Sequence, residues 1–441
     1  MKKVYFFVLL ILVSVTANVL FYSPNIVDMV TGEKLSGIVL QWPVWRLFIE
    51  PFYALSYYII GMDSGSYWAA GISWFFWIIL FAFLFAKSKK ENIKNTVMYC
   101  AFFVFFFVSV VCLVMSLPII GAKITNVEGY KVVDVHSHTI ESRDSISTVM
   151  SSIAYHNMQG FTDFFVTDHD NTKSYNNIPA DMGTDHVFPG VQIKTKDGQT
   201  LLLLSQYKFR YEEYRDMSIK DLIKAAHSDN MLVIAPYWWE YDDSVEPEQL
   251  VKWGIDGFEI YNYRHLNVSE EYRQRIIDIC KANNLLMFGS TDWHGMGYMT
   301  NVWTLVKRTS NNNIFNLLTK KPETKIVVHK TKSSHSFIRY VFEPFYFLLA
   351  YSVNMPLKYV MSFYMFILII AALTYKLPTL KLIRIISLYM SFVFCIYTFY
   401  FVKMLTYSFF NNIVIPEEIL PISILLVFIW LILWGFCDKE N

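Results

Sequence analysis

The sequence predicts an α/β domain set between two α-helical transmembrane subdomains. Three observations carry that expectation: apolar residues crowd both ends of the chain, the polar middle alternates strand-like and helix-like runs, and His and Asp residues recur where those strands end. Of 441 residues, 54% are hydrophobic and 17% charged, where a soluble domain has roughly 25% charged. The 37 Phe, 29 Tyr and 12 Trp are more aromatic surface than one soluble core would hide. Lys plus Arg number 38 against 37 Asp plus Glu, and the charges of the middle are interspersed, so there is no basic stripe for nucleic acid. Cysteines at 100, 112, 280, 395 and 437 form neither a disulfide framework nor a thiolate metal pattern.

Residues 1–120 form the N-terminal membrane subdomain, 121–336 the polar domain with a C-terminal linker, and 337–441 the C-terminal membrane subdomain. A spanning helix needs about 20 apolar residues, because the bilayer core is about 30 Å thick and every backbone group must bond within the segment. Stretches at 4–24, 42–61, 67–86 and 97–120 meet or approach this, as do 337–353, 358–375, 385–405 and 417–436. The first is expected to be an anchor, with a signal peptide as the alternative.

Two stretches share a pattern. Arg46, Glu50, Pro51, Phe52, Tyr53 and Leu55 are matched by Arg339, Glu343, Pro344, Phe345, Tyr346 and Leu348. The repetition implies that 337–441 is partly a repeat of 42–120. Arg and Glu four apart share a helix face, and the following Pro interrupts the ladder. Each unit is therefore either a kinked spanning helix or an interfacial one, and the interfacial placement is cheaper for an ion pair. With both interfacial there are six spans, and the basic loops at Lys87–Lys94 and Lys376–Arg384 share one side with Lys2 and Lys3. The positive-inside bias then puts the polar domain outside; with both crossing, there are eight spans and it faces the cytoplasm. The first arrangement is preferred, in a bacterial cytoplasmic membrane.

In the polar middle, Val132–Val135, Phe164–Thr167, Leu201–Leu204, Met231–Ala235, Gly257–Tyr261 and Leu285–Gly289 read as strands. Ser147–Gln159, Ile219–Asp229, Pro247–Trp253 and Glu270–Asn283 read as helices between them. Such β/α successions carry their reactive groups at the C-terminal ends of the strands. The first strand ends in Asp134-Val135-His136-Ser137-His138, with Asp144 in the next loop. Two His at spacing two project from one side of a strand and can reach one cation. The second strand ends in Thr167-Asp168-His169, and the last runs into Gly289-Ser290-Thr291-Asp292-Trp293-His294. Mixed imidazole and carboxylate ligation suits Zn, Mn or Fe and leaves positions open for water and substrate. The bland alternative is a set of His–carboxylate hydrogen bonds tying loops to a rim. His156, His186, His227, His265, His329 and His335 carry no such pattern and are expected in ordinary core or surface roles.

Residues from 130 to about 310 resemble the PHP superfamily, named for polymerase-associated and histidinol-phosphatase domains. The resemblance rests on Asp134-Val135-His136-Ser137-His138-Thr139 with Ser142-Arg143-Asp144-Ser145, on Val166-Thr167-Asp168-His169-Asp170, and on Gly289-Ser290 with Asp292-Trp293-His294-Gly295. Thr291 stands as an extra residue in the last of these. The resemblance implies a distorted (β/α)7 barrel of the PHP type and a metal-dependent phosphoesterase. It places His136, His138 and Asp292 on one metal, and Asp144, His169 and His294 on another. Where the family has Pro-Gly-x-Glu, this chain reads Pro189-Gly190-Val191-Gln192, and neutral Gln192 offers only a weaker carbonyl oxygen. Leu201–Leu204 and Ala235-Pro236-Tyr237 stand where two further His ligands are expected. Two divalent metals are therefore expected, not three.

The expected chemistry is attack of metal-activated water on a phosphate ester, with Asp292 receiving a proton and Arg143 and Arg264 holding phosphate. Tyr237, Trp238 and Trp239 stand ready to stack on a substrate or pack under a loop. The expected partners are the lipid bilayer and a small-molecule or lipid-linked phosphate. The competing readings are a catalytically silent metal- or ligand-binding sensor and a transporter.

Overall fold

The computed structural model describes residues 2–48, 64–97, 121–176, 186–236, 245–262, 268–295, 301–309, 313–330 and 340–375, together with isolated neighbours; Lys89, Glu91, Arg143 and Ile146 are excepted. The chain divides into two compact units. One comprises Asn25–Pro43 and Ile120–Lys330; the other comprises Met1–Pro24, Val44–Ile119 and Thr331–Asn441. The first unit therefore includes residues 25–43, which are expected from the sequence in the N-terminal membrane subdomain.

That first unit is built on twelve strands: β1 (Ile26–Asp28), β2 (Val39–Gln41), β3 (Lys123–Thr125), β4 (Tyr130–Asp134), β5 (Asp163–Val166), β6 (Val187–Lys194), β7 (Thr200–Leu204), β8 (Leu232–Ala235), β9 (Gly257–Asn262), β10 (Leu286–Ser290), β11 (Val302–Lys307) and β12 (Thr324–His329). Ten of them form one sheet in the order β1-β12-β11-β4-β5-β6-β7-β8-β9-β10, and β2 pairs with β3. β4, β5 and β6 run parallel, as do β8, β9 and β10. β7 is antiparallel to both β6 and β8. A tight turn, in which Thr195 N–H donates to Gln199 C=O at 2.8 Å, joins β6 to β7 in place of a helix. The regular β/α succession expected there is thus broken.

The sheet curls until β10, at one end, comes back to β4. Beyond the regular strands, Ser137 and Trp293 form a parallel bridge between the continuations of β4 and β10. Asp292 N–H donates to His136 C=O and His138 N–H to Trp293 C=O, each at 2.9 Å. Seven strands, β4 to β10, therefore surround one interior as a distorted barrel. Val133, Val135, Phe165, Leu202, Leu204, Ile234, Leu286 and Phe288 are buried together in one core cluster. Each such side chain contributes about 1.5–3 kcal/mol on burial. A second core, with Val132, Phe161, Trp303, Leu305 and Val327, lies on the other face of the β11–β12 region.

Three strands that periodicity did not mark have physical reasons for being hidden. β6 contains Pro189 and Gly190, which read as strand breakers. Yet Gly190 is required there: a Cβ would stand 2.7 Å from Thr167 Cγ2 and 3.0 Å from Leu203 O. β11 and β12 pair with each other, are six residues each and are buried along most of their length, so no alternation marks them. The helices end on expected signals. Thr148 Oγ1 accepts Ser151 N–H to start Val149–Gln159, and Gly160 closes it at φ 90°. Ser218 and Ser269 cap Ile219–Ser228 and Glu270–Ala282 in the same way.

The second unit contains the helices Lys2–Phe21, Ser64–Ser88, Glu343–Asn354 and Leu357–Tyr375, with a 3-10 turn at Val44–Phe48. Among the described residues, Ala69–Ser88 is long and apolar enough to cross a membrane, and Val8–Phe21 and Leu357–Ile369 are shorter apolar helices. The stretches 97–120 and 42–61 lie for the most part outside the described residues, and 385–405 and 417–436 wholly so. Arg46 and Glu50 form the expected i,i+4 pair at 2.6 and 2.7 Å, both fully buried. Tyr351 Oη donates to the same carboxylate, and the Arg46 guanidinium lies 5.4 Å from the Tyr359 ring centroid. Arg339 lies outside the described residues, so its pairing with Glu343 does too. Pro344 occupies the first turn of its helix, where the missing N–H costs nothing.

Candidate metal centre

The continuations of β4, β5 and β10 bring six side chains to one place. His138, His169 and His294 present ligand atoms within 4.8 Å of one another, and so do His136, His138 and Asp292. Asp144 joins the first group, its carboxylate oxygens 3.0 Å from His294 Nε2 and 3.4 Å from His169 Nε2. Asp292 Oδ1 lies 3.1 Å from His138 Nε2, 3.4 Å from His136 Nε2 and 3.5 Å from His294 Nδ1. His138 is shared by both groups. Asp292 sits at φ 49°, a left-handed conformation that an Asp adopts only where its surroundings hold it.

The hydrogen-bond network indicates which atoms carry protons. Ser142 Oγ donates to Asp168 Oδ1 at 2.9 Å, so it must accept from His138 Nδ1 at 3.0 Å. His138 therefore carries its proton on Nδ1 and turns a lone pair on Nε2 towards Asp292. That buried Nε2 makes no hydrogen bond of acceptable geometry, although Asp292 Oδ1 is 3.1 Å away. His294 Nδ1 donates to Asp292 C=O at 2.7 Å, and its Nε2 lies 3.0 Å from Asp144 Oδ2. Lone pairs of imidazole and carboxylate that face one another about 3 Å apart are what a cation between them reconciles. The residues fit divalent metal.

Burial would raise the Asp292 carboxyl, but His136, His294 and His138 around it hold it well below the usual range. Asp144 is likewise depressed: burial opposes, while His169 and His294 prevail. His138 is lowered by its burial and by His294 and His169, which keeps it neutral and ready to ligate. For His136, burial pulls downward, but Asp292 and Glu259 raise it to about 9.

Gln192 reaches the site: its Oε1 is 3.0 Å from His136 Nε2, and its strand extends to a parallel bridge with His169. Arg143, Arg264, His265 and Tyr237–Trp239 lie outside the described residues. His156 has a structural role, with Nε2 3.0 Å from Asp134 Oδ2 and its ring stacked on Phe164 at 4.0 Å. Among the described residues, the Asp168 carboxylate contacts no metal candidate directly; it accepts Thr139 N–H at 2.6 Å and Thr139 O–H at 2.8 Å, and Ser142 Oγ links it to His138.

Three residues passed over in the sequence shape the site. Asp134 accepts His136 N–H and Thr291 N–H, each at 3.2 Å, and also the Thr291 hydroxyl. Thr291, the extra residue of the closing motif, thus ties the end of β10 to the end of β4. Glu259, fully buried on β9, stands 3.1 Å from His136 Nδ1. A lone acid inside the apolar run Gly257-Phe258-Glu259-Ile260-Tyr261 was the available signal for it.

No protein-family model matches the chain, and no curated protein matches it. Among solved structures, it is similar to a protein from Bifidobacterium adolescentis described as a metal-dependent phosphoesterase, at 14% identity and a TM-score of 0.33, covering 43% of this chain and 96% of that one. A two-domain protein from Bacteroides vulgatus, described as containing a PHP-like metal-dependent phosphoesterase, gives 17% identity and a TM-score of 0.32 over 53% of this chain and 72% of that one. The lesion-specific endonuclease EndoQ from Pyrococcus furiosus gives 15% and 0.34 over 45% of this chain and 57% of that one. What the site can do is carried by its own side chains.

Proposed function

We propose that the chain is a membrane-tethered, metal-dependent phosphoesterase of the PHP type. The observation that carries this is the opposed lone-pair contact of His138 Nε2 with Asp292, beside the cluster of Asp144, His169 and His294, on a barrel mouth. His136, His138 and Asp292 would hold one divalent cation, and Asp144, His169 and His294 a second, with Zn, Mn or Fe suited to the donor set. When bound, such ions supply an activated water and neutralise charge on a phosphoryl oxygen. Asp292 receives the proton of the attacking water; Arg143 and Arg264 hold the phosphate. His138 would ligate the first cation, and its ring packs against those of His169 and His294. The apolar helices Ala69–Ser88, Val8–Phe21 and Leu357–Ile369 support tethering to a bacterial cytoplasmic membrane. With the Arg46 and Arg339 units interfacial, the polar unit lies outside, within reach of a lipid-linked phosphate.

A second reading is favoured by one observation: Gln192, a neutral amide, contacts His136. A site with fewer anionic ligands suits a silent sensor that binds metal or ligand without turnover.

The test is metal content of the detergent-purified full chain, with turnover of bis(p-nitrophenyl) phosphate and of a lipid phosphate. Two equivalents with multiple turnover support the phosphoesterase; metal without turnover favours the sensor. No metal as isolated, and none taken up afterwards, overturns the phosphoesterase and the metal-binding sensor alike.

A further inference from the structure

A carboxylate in the middle of a buried strand is expensive, since removing a charge from water costs several kcal/mol unless specific partners replace the solvent. Glu259 is such a group. It is fully buried on β9, between Phe258 and Ile260, both also fully buried. One oxygen faces His136 Nδ1 at 3.1 Å, and the other accepts the Asn262 amide at 3.1 Å. Facing a carboxylate, His136 Nδ1 carries the ring's proton as a donor, which directs Nε2 to the opposite side. There Nε2 meets Gln192 Oε1 at 3.0 Å and Asp292 Oδ1 at 3.4 Å. Of the side chains around the His136, His138 and Asp292 position, Asp292 brings the negative charge directly, while Gln192 brings none.

Resting on the metal-binding reading above, we propose that Glu259 is the positioning residue of this site. It supplies through the His136 ring the second negative charge that the neutral amide of Gln192 does not, and it orients Nε2 toward the cation. A carboxylate–imidazole–metal relay of this kind both fixes the ring and makes it a better donor, and loss of such an outer partner typically costs 10–100-fold in metal affinity. The ligand is a divalent cation. The effect is confined to one of the two positions, because Glu259 contacts His136 and the second group uses Asp144, His169 and His294.

The test is chelator competition for Zn2+ on the full chain in detergent, comparing wild type, Glu259→Gln and Glu259→Asp. Glu259→Gln keeps the shape and an acceptor but removes the charge; Glu259→Asp keeps the charge but shortens the reach. In both, one equivalent should weaken by about 10–100-fold while the other keeps its wild-type affinity and the melting temperature is held. Unchanged affinity of both equivalents in Glu259→Gln overturns the assignment. So does wild-type affinity in Glu259→Asp, which would leave charge without positioning. Equal weakening of both equivalents with a lowered melting temperature also overturns it, as a merely structural role. A wild-type chain that takes up no Zn2+ would instead sink the metal-binding reading itself.

Discussion

His138 Nε2 lies 3.1 Å from Asp292, and its ring centroid stands 4.4 and 4.2 Å from those of His169 and His294, so no other single imidazole should matter as much. His138→Ala is expected to remove one equivalent of metal and weaken the other by at least about ten-fold, read by metal analysis after dialysis. His169→Ala should affect only one. Gln192→Glu is expected to act in the opposite direction. A carboxylate 3 Å from His136 Nε2 would tighten that position by about ten-fold or more, because a charged oxygen is the stronger donor; chelator competition again reads it. The six ligand candidates were legible because each lies at the end of a strand, at spacing two from another candidate or in the next loop. Glu259 was not, since a lone acid within an apolar strand differs from a surface position only once its neighbours in space are known. Asp134 was overlooked for a related reason: its partners, Thr291 and His156, are remote in sequence, and only the curled sheet brings them together.

Strands and helices with clear periodicity or caps were legible to within a residue or two, as Pro247–Trp253 and Glu270–Ala282 illustrate. The hidden elements were those whose pairing overrides local preference. β6 survives its Pro and Gly because β5 and β7 flank it, and β1 is a three-residue strand that only β12 defines. The bridge between the ends of β4 and β10 depends on Thr291 and Asp134. Thr291→Val keeps the shape but removes the hydroxyl donor from a buried carboxylate, and should cost about 2 kcal/mol. Thermal unfolding of the metal-free protein would show it; an unchanged midpoint would mean that the bridge holds without it. Gly295 follows His294 at φ 86°, and a Cβ there would stand 2.7 Å from Ser147 N. Gly295→Ala should therefore displace His294 and weaken the Asp144, His169 and His294 position before it touches the other.

At the scale of the molecule, metal uptake should depend on pH with a definite sign. His136 is held up to about 9 in the metal-free protein, so at neutral pH it carries an extra proton that a cation must expel. Affinity at that position should rise with pH, by up to about ten-fold per unit, until the imidazole titrates near 9, and then level off. Calorimetry in two buffers of different ionisation heat would count the released proton. The apolar helices predict that the full chain stays with the membrane fraction after high-salt and carbonate washing and leaves it only with detergent. A final consequence concerns time. β1 is made about 300 residues before its partner β12, as the bond from Ile326 N–H to Asp28 makes plain. At about 5–20 residues per second, translation leaves that first edge waiting roughly 15–60 s for its neighbour. Nascent chains halted before residue 324 would expose both β1 and β11 as unpaired edges. Stalled products should therefore be the forms that proteases and chaperones capture most readily.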